Sequence, residues 1–413
     1  MRKFSVITFG CKLNQAEAEE WIEALNKKGY VFEKEWKKAE LIIINSCTLT
    51  VKADSDVRKT IRKIKRENPS AFIIATGCLA ERDSTQLERE GVSKVFSNQE
   101  KSLIVPFVLR HLPPEGPPAR KPSHYRARYF LKIQEGCGFR CSYCIIPLVR
   151  GKARSEPLDK ILEKVKKAVQ EGFEEIVLTG IHIDSYGRDL GERRGLLKLL
   201  RSLESFYPEV RFRLSSLDPR FIDEELLNYL LNSPHIMPHY HISFQHVSER
   251  ILRLMKRRGS AQQYAELISK IKEKNPLAGI GGDVIIGFPT EKEEDFLQLY
   301  EFVKSTPLTY LHVFSFSPRP ETEAFSMRPA IPERIKKERS YKLRKLVQEK
   351  NLKFREFLKG KEIEATVIHP REALSENYVK VFLQEEKLPG RRIKVRVENV
   401  TEKGVEAKTT QLD

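Results

Sequence analysis

The stretch "QEGCGFRCSYCIIP", residues 134–147, sets Cys137, Cys141 and Cys144 in the spacing Cys-x3-Cys-x2-Cys. Metal sites built wholly by protein are completed by four ligands, whether the metal is zinc or a cubane iron–sulfur cluster. No fourth cysteine lies near these three. Two readings follow. A remote His or Asp completes a zinc site, or three thiolates cap a four-iron cluster and leave one iron open for a substrate or cofactor. The segment just upstream, "RYFLKI", reads as a strand, so the loop falls at a strand's C-terminal end. Barrels of alternating strands and helices keep their chemistry there. Working downstream, "EIVLTG", "RFRLSS", "HYHISF", "GGDVIIGF" and "LHVFSFS" read as further strands, separated by helical stretches such as "LDKILEKVKKAVQEG". About six β/α units predict a complete or partial barrel.

Upstream of the loop, "FSVITFG", "AELIIINS" and "AFIIATG" are strand candidates with the helix-like "QAEAEEWIEALNKKG" and "DVRKTIRKIKREN" between them. This alternation predicts a parallel sheet. Each strand candidate ends at a cysteine, Cys11, Cys47 or Cys78. Parallel strands place those ends on one sheet edge, where open α/β sheets bind ligands. Either these are three unrelated buried thiols, or they form a second three-cysteine site. The segment "HLPPEGPPARKP" contains Pro113, Pro114, Pro117, Pro118 and Pro122 and marks a boundary. Residues 331–358 read as one long basic helix. Beyond Gly360, "EIEATVIH", "NYVKVFL", "RRIKVRVENV" and "GVEAKTT" alternate in period two and predict a small antiparallel barrel. The expected α/β organisation is therefore an N-terminal parallel-sheet domain (1–112), a Pro-rich linker (113–124), a barrel domain ending in the basic helix (125–358) and a C-terminal β-barrel (359–413).

The chain has 413 residues and no apolar run long enough to span a bilayer. No membrane partner is expected. Its start runs directly into a strand pattern with no signal core, so a cytoplasmic location is expected. Six cysteines in a reducing compartment are not expected to form disulfides. A formal charge of +17 points to a polyanionic partner, nucleic acid first. The tail from Gly360 is balanced, with ten basic against ten acidic side chains, whereas residues 324–360 carry twelve against four. If the tail binds RNA, it must do so through a local patch. Alternation along a strand puts Arg392, Lys394 and Arg396 on one face.

The chain resembles the radical S-adenosylmethionine methylthiotransferases along nearly its whole length. The resemblance rests on "GCKLNQAEAE", the later Cys47 and Cys78, "GCGFRCSYCIIPLVRG", "LTGIHIDSYG", "RLSSLDP", "GGDVIIGFPTEKEEDF" and "FSFSPRPETEAF". It implies two [4Fe–4S] clusters: a radical cluster on Cys137, Cys141 and Cys144, and an auxiliary cluster on Cys11, Cys47 and Cys78. It also implies S-adenosylmethionine as cofactor and a TRAM barrel that grips RNA. Among substrates used in the family, "GCKLNQ" and "LTGIHIDSYG" are most similar to enzymes that methylthiolate C2 of threonylcarbamoyladenosine in the tRNA anticodon loop. Isopentenyladenosine in tRNA and an aspartate of a ribosomal protein are the alternatives. A flavodoxin- or ferredoxin-like electron donor and a sulfur donor are implied partners.

Positions at strand ends are candidates for cofactor contact: Thr179, Gly180, Arg213, Ser215 and Gln245, together with Tyr143 beside the last loop cysteine. His182 and His241 are read as packing or hydrogen-bonding residues. The chain departs from the family pattern at His246 and Val247 in "QHVSERIL", at Gly282, and after the arginines of "MKRRGS". These departures leave every cysteine in place.

Overall fold

The computed structural model describes residues 1–115 and 126–410. The expected linker therefore lies outside the described residues from position 116 to its end.

The N-terminal sheet has five parallel strands in the order Val31–Phe32, Lys3–Thr8, Leu41–Ser46, Phe72–Gly77, Lys94–Val95. The central strand "LIIINS" is buried throughout because helices cover both faces. Its alternation divides the two cores. Leu41 and Ile43 pack on one side, Ile42 and Ile44 on the other. The helices Lys12–Asn26 and Val51–Glu67 follow the first and third strands in chain order. Thr50 caps the latter by accepting a hydrogen bond from the Ala53 amide at 3.1 Å.

Six parallel strand positions form the central domain: Tyr129–Lys132, Glu175–Thr179, Arg211–Leu214 continuing as Ser216–Leu217, His239–Gln245, Gly279–Ile286 and His312–Ser315. The ladder breaks at Ser215, dividing a three-stranded from a four-stranded sheet. This is the partial barrel expected from the sequence. Ile176, Leu178, Phe212, Leu214, Ile242, Phe244, Val284 and Ile286 join the helical layer in one large core. The alternate positions, including Glu175, Thr179, Arg213, His239, His241 and Asp283, are left to the concave side.

After the helix Glu333–Leu358, five strands close a barrel: Glu362–His369, Glu372–Ser375, Lys380–Leu383, Val405–Thr409 and Arg392–Val400 around the ring. One correction applies to the antiparallel expectation. Lys380–Leu383 pairs in parallel with Val405–Thr409, as closure requires once Arg392–Val400 lies antiparallel to both Glu362–His369 and Val405–Thr409. The short strand Glu372–Ser375 has only two buried positions and was not legible as a strand.

The three parts are interlocked. Arg319, from "FSFSPRPETEAF", makes a two-armed ion pair with Asp54 at 2.7 and 3.2 Å. In the tail, Thr366 donates to Glu175 at 2.5 Å. At Gly279 a Cβ would stand 2.1 Å from the Asn377 carbonyl, so only glycine admits the tail this closely. Among the described residues no helix is long and apolar enough to cross a membrane.

Candidate active site

The cysteine loop leaves the barrel's first strand through Gly136 at φ +66°. A Cβ there would lie 2.0 Å from the Lys152 carbonyl. The amide of Cys137 donates to Gly151 (3.1 Å) and that of Cys144 to Cys141 (3.0 Å). Ser142 anchors the loop through its hydroxyl to the Leu254 carbonyl at 2.7 Å. All six cysteines are free thiols. Burial pushes the Cys137 thiol up and that of Cys144 to about 12, and it raises the Tyr143 phenol as well. Such thiols stay protonated alone; metal binding would exchange their protons for iron.

A charged frame stands beside the loop. The Asp218 carboxylate is held by Arg220 (2.6 Å), Arg257 (3.0 Å) and His182 (3.2 Å). Burial alone would raise its pKa; the His182 and Arg220 hydrogen bonds win and hold it below the carboxylate range. His182 also packs on Phe139 of the loop, with ring centroids 4.8 Å apart. It is thus nearer the site than a packing residue elsewhere in the barrel.

Of the cofactor candidates, Thr179 ends its strand buried, and its carbonyl accepts from the Ile133 amide at 2.9 Å. At Gly180 a Cβ would meet the Gln134 carbonyl at 2.8 Å. Ser215 sits at the sheet break with a buried hydroxyl that has no partner among the described residues. Gln245 follows a ladder irregularity at φ +64°, a strained conformation for a residue with a side chain. Arg213 differs from the expectation. It is fully buried, and its guanidinium bonds Glu175 (2.6 Å) and the tail carbonyls of Glu376 (2.9 Å) and Ser375 (3.1 Å). Its donors are directed at the C-terminal barrel because that barrel seals this end of the concave side.

The other three cysteines converge as expected from the strand ends. Gly10, at φ +88°, lies so close to Cys47 that a Cβ would stand 2.7 Å from its sulfur. Cys11 caps the first helix, and Cys78 opens the helix Cys78–Arg82. The thiols of Cys11, Cys47 and Cys78 are within electrostatic reach of one another, and burial pushes Cys47 to about 12. Arg150, at the end of the loop motif, crosses to this site. Its Nε donates to the Cys78 sulfur at 3.3 Å, and its other nitrogens bond Glu17 (3.0 Å) and Asn14. Cys78 shares one apolar cluster with Ile145, Ile146 and Val149, against which Cys137 and Cys144 also pack. The two cysteine sets therefore adjoin across one packed apolar cluster.

On the concave side, Lys12 follows Cys11 directly and reaches the tail residue Tyr378, 5.5 Å from its ring centroid. Burial, with Arg213 and Arg128, lowers the lysine to about 8. Tyr378 stacks on His239 at 4.2 Å. His241 and His312 both hold Asp283, at 3.1 and 3.0 Å, while Tyr310 bridges His239 and His241.

The basic strand face in the tail is less free than its sequence suggests. Arg392 is turned onto the central domain, with its amide on Glu174 (2.7 Å) and its side chain on Glu364 (2.9 Å). Arg396 pairs with Glu362 at 3.1 Å, and Lys394 stands opposite Glu364 in the ladder. Acidic residues on the neighbouring strand interleave with the basic ones and offset their field.

Sequence reasoning missed Asp218, Arg257, Arg150 and Tyr378. Asp218 and Arg150 lie inside quoted motifs, which was a usable signal; the solitary Tyr378 in the tail offered none. The departures from the family pattern are structural. His246 and Val247 are fully buried, and a Cβ on Gly282 would meet the Ile242 carbonyl at 1.8 Å.

Three free cysteines per site, an orphaned Ser215 hydroxyl and a strained Gln245 fit iron–sulfur clusters with an adjoining cofactor. Residues 131–303 match the Radical SAM superfamily. Residues 3–97 match a family described as uncharacterized, UPF0004. The threonylcarbamoyladenosine tRNA methylthiotransferase MtaB of Aquifex aeolicus is 38% identical over 96% of this chain and all of its own length. The ribosomal protein uS12 methylthiotransferase RimO of Thermodesulfovibrio yellowstonii is 35% identical over 82% of this chain and 81% of its own. In fold, the chain is similar to the radical S-adenosylmethionine methyltransferase TsrM of Kitasatospora setae, solved with cobalamin and a [4Fe-4S] cluster bound. The TM-score is 0.56 and the identity 15%, covering 79% of this chain and 77% of that one. The chain belongs to the radical S-adenosylmethionine methylthiotransferases and is of the MtaB type. S-adenosylmethionine and [4Fe–4S] clusters are the cofactors of such an enzyme.

Proposed function

We propose that this enzyme methylthiolates C2 of N6-threonylcarbamoyladenosine next to the anticodon of tRNA. One observation carries the chemistry: two incomplete cysteine sets, from different domains, meet at one apolar cluster. Cys137, Cys141 and Cys144 would hold the radical cluster, and Cys11, Cys47 and Cys78 the auxiliary one. When bound, the first supplies the electron that cleaves S-adenosylmethionine to a 5′-deoxyadenosyl radical, and the second presents sulfur to carbon.

The chain's own residues do the rest. Ser215 and Gln245 stand where a polar cofactor meets the strand ends, and Gly180 lets the loop backbone close on that place. Asp218 and Arg257 form an ion pair beside the loop, and His182 hydrogen-bonds the same carboxylate. Ile145, Ile146 and Val149 keep water from the space between the cysteine sets. The substrate reading rests on the full-length similarity to a threonylcarbamoyladenosine enzyme and on "GCKLNQ". A loop base can be splayed into such a site, as single-stranded RNA permits. Electrons would come from a flavodoxin- or ferredoxin-like donor and sulfur from a separate donor.

The test is anaerobic turnover of reconstituted enzyme with S-adenosylmethionine and reductant. Substrates are tRNA bearing the threonylcarbamoyl group, tRNA bearing the isopentenyl group, and a ribosomal-protein peptide. Mass spectrometry should find methylthio product from the first alone. Product only from another substrate would replace this reading.

A further inference from the structure

On the concave side of the barrel Arg128 and Arg213 stand with Glu175, His241 and His312 with Asp283, and Lys12 with Tyr378. Both acids are already engaged. Glu175 accepts from Arg213 at 2.6 Å and Thr366 at 2.5 Å and lies 3.4 Å from Arg128. Asp283 is held by His241 at 3.1 Å and His312 at 3.0 Å. Arg213 has each of its three nitrogens engaged already, on Glu175 and on two tail carbonyls. The Lys12 ammonium differs. Among the described residues no carboxylate lies within 4.0 Å of it, and its recorded neighbour is the face of Tyr378 at 5.5 Å. A cation taken into a protein interior without an anion is costly unless a ligand supplies one.

We infer that Lys12 is the carboxylate-binding residue of the substrate pocket and selects an adenosine whose N6 substituent ends in an anion. The inference rests on the threonylcarbamoyladenosine reading above and deepens it. That substituent carries a single carboxylate, which matches the one ammonium that stands there without an anion within 4.0 Å. Lys12 adjoins Cys11 in the chain, so its flexible stem starts at the N-terminal cysteine site and leads inward to Tyr378. A base positioned between the cysteine sets would lie along that stem. His312, oriented through its Nδ1 by Asp283 and with its ring half exposed, lines the same side. Tyr378 sets the far limit of the pocket by its stack on His239. A neutral isopentenyl group would leave the ammonium unpaired, and this penalty supplies discrimination.

The experiment compares two anticodon stem-loops with the reconstituted holoenzyme. One bears the threonylcarbamoyl group and the other the same group with its carboxylate replaced by a carboxamide. Wild type, Lys12→Met and Lys12→Arg are measured at matched iron content, and the readout is the ratio of kcat/KM for the two substrates. Loss of one charged hydrogen bond corresponds to roughly 10- to 100-fold, so the wild-type ratio should fall in that range. Lys12→Met should bring it close to one, chiefly through KM for the acid, while Lys12→Arg keeps most of it. A Lys12→Met ratio equal to that of wild type overturns the inference, and so does a wild-type enzyme that does not distinguish the two. Should wild type convert neither stem-loop, the substrate reading itself falls and the role of Lys12 falls with it. Should wild type convert both alike, only the role of Lys12 is lost.

Discussion

The two cysteine sets are assembled by opposite constructions. Cys137, Cys141 and Cys144 lie within one loop, and their mutual placement is set by local bonds such as that of the Cys144 amide to Cys141. Cys11, Cys47 and Cys78 come from three strand ends, and their placement is set by the register of the parallel sheet. The loop site can keep its geometry when its surroundings shift. The strand-end site cannot, because each ligand is tied to a different part of the sheet. It is also the site that borrows a residue, since Arg150 reaches it from the other domain.

The largest test of this contrast removes one thiol from each. Cys141→Ala should abolish both 5′-deoxyadenosine and methylthio product in an anaerobic assay. Cys47→Ala should continue to release 5′-deoxyadenosine while product falls to background. If both variants lose both activities, the sites are not separable in function. Next in size is Arg150→Met, which strands the buried Glu17 carboxylate apart from its remaining contacts to Lys101 and Asn45. Leaving a buried charge with no partner costs about 3–5 kcal/mol, and the Lys101 that Glu17 keeps holds the loss below that range. Chemical denaturation should show that loss, and the reconstituted protein should lose iron from the strand-end site first, as read by the iron content of a background lacking the loop cysteines.

Gly10→Ala combines a left-handed backbone with a Cβ pressed on Cys47, so a cost of roughly 1–3 kcal/mol is expected, together with impaired product formation. Gly180→Ala on the loop side meets the Gln134 carbonyl at 2.8 Å without backbone strain and should cost less. A reversal of that order in thermal melts would contradict the claim that the strand-end site is the more exacting. The smallest effect belongs to His246, which lies in neither site. Burial lowers its pKa from the usual value to about 3. The unfolded chain then binds a proton below about pH 6.5 that the folded protein refuses, so stability falls as pH drops from there towards 3. At pH 5.5 the contribution is about 1.4 kcal/mol. His246→Asn should flatten this slope, measured as urea midpoints between pH 5 and 7, without moving the substrate ratio.

Much of this was legible in the residues. Strand-end cysteines followed from parallel alternation, because period and position are local facts about "FSVITFGC", "LIIINSC" and "FIIATGC". The six-unit barrel followed in the same way. What sequence did not carry was partnership across domains. Arg213 reads as a strand-end residue, yet its partners are tail carbonyls some 160 positions away. Arg392 reads as one of three aligned basic residues, yet a glutamate of the central domain takes its amide. Both cases turn on long-range burial, which decides what a charged side chain faces and leaves no periodic trace.

The insertion of Tyr378 between Lys12 and His239 makes the C-terminal barrel separable in the chain but not in mechanics. Its five strands close on themselves with their own core, as an interchangeable module would. Yet its 375–378 turn is built against the concave side of the central domain, where Asn377 also grips the Leu277 carbonyl at 2.9 Å. Transplanting a different tail onto this enzyme would therefore remodel the concave side of the central domain itself. In this architecture, the C-terminal barrel and the shape of the central domain's concave side are inherited together.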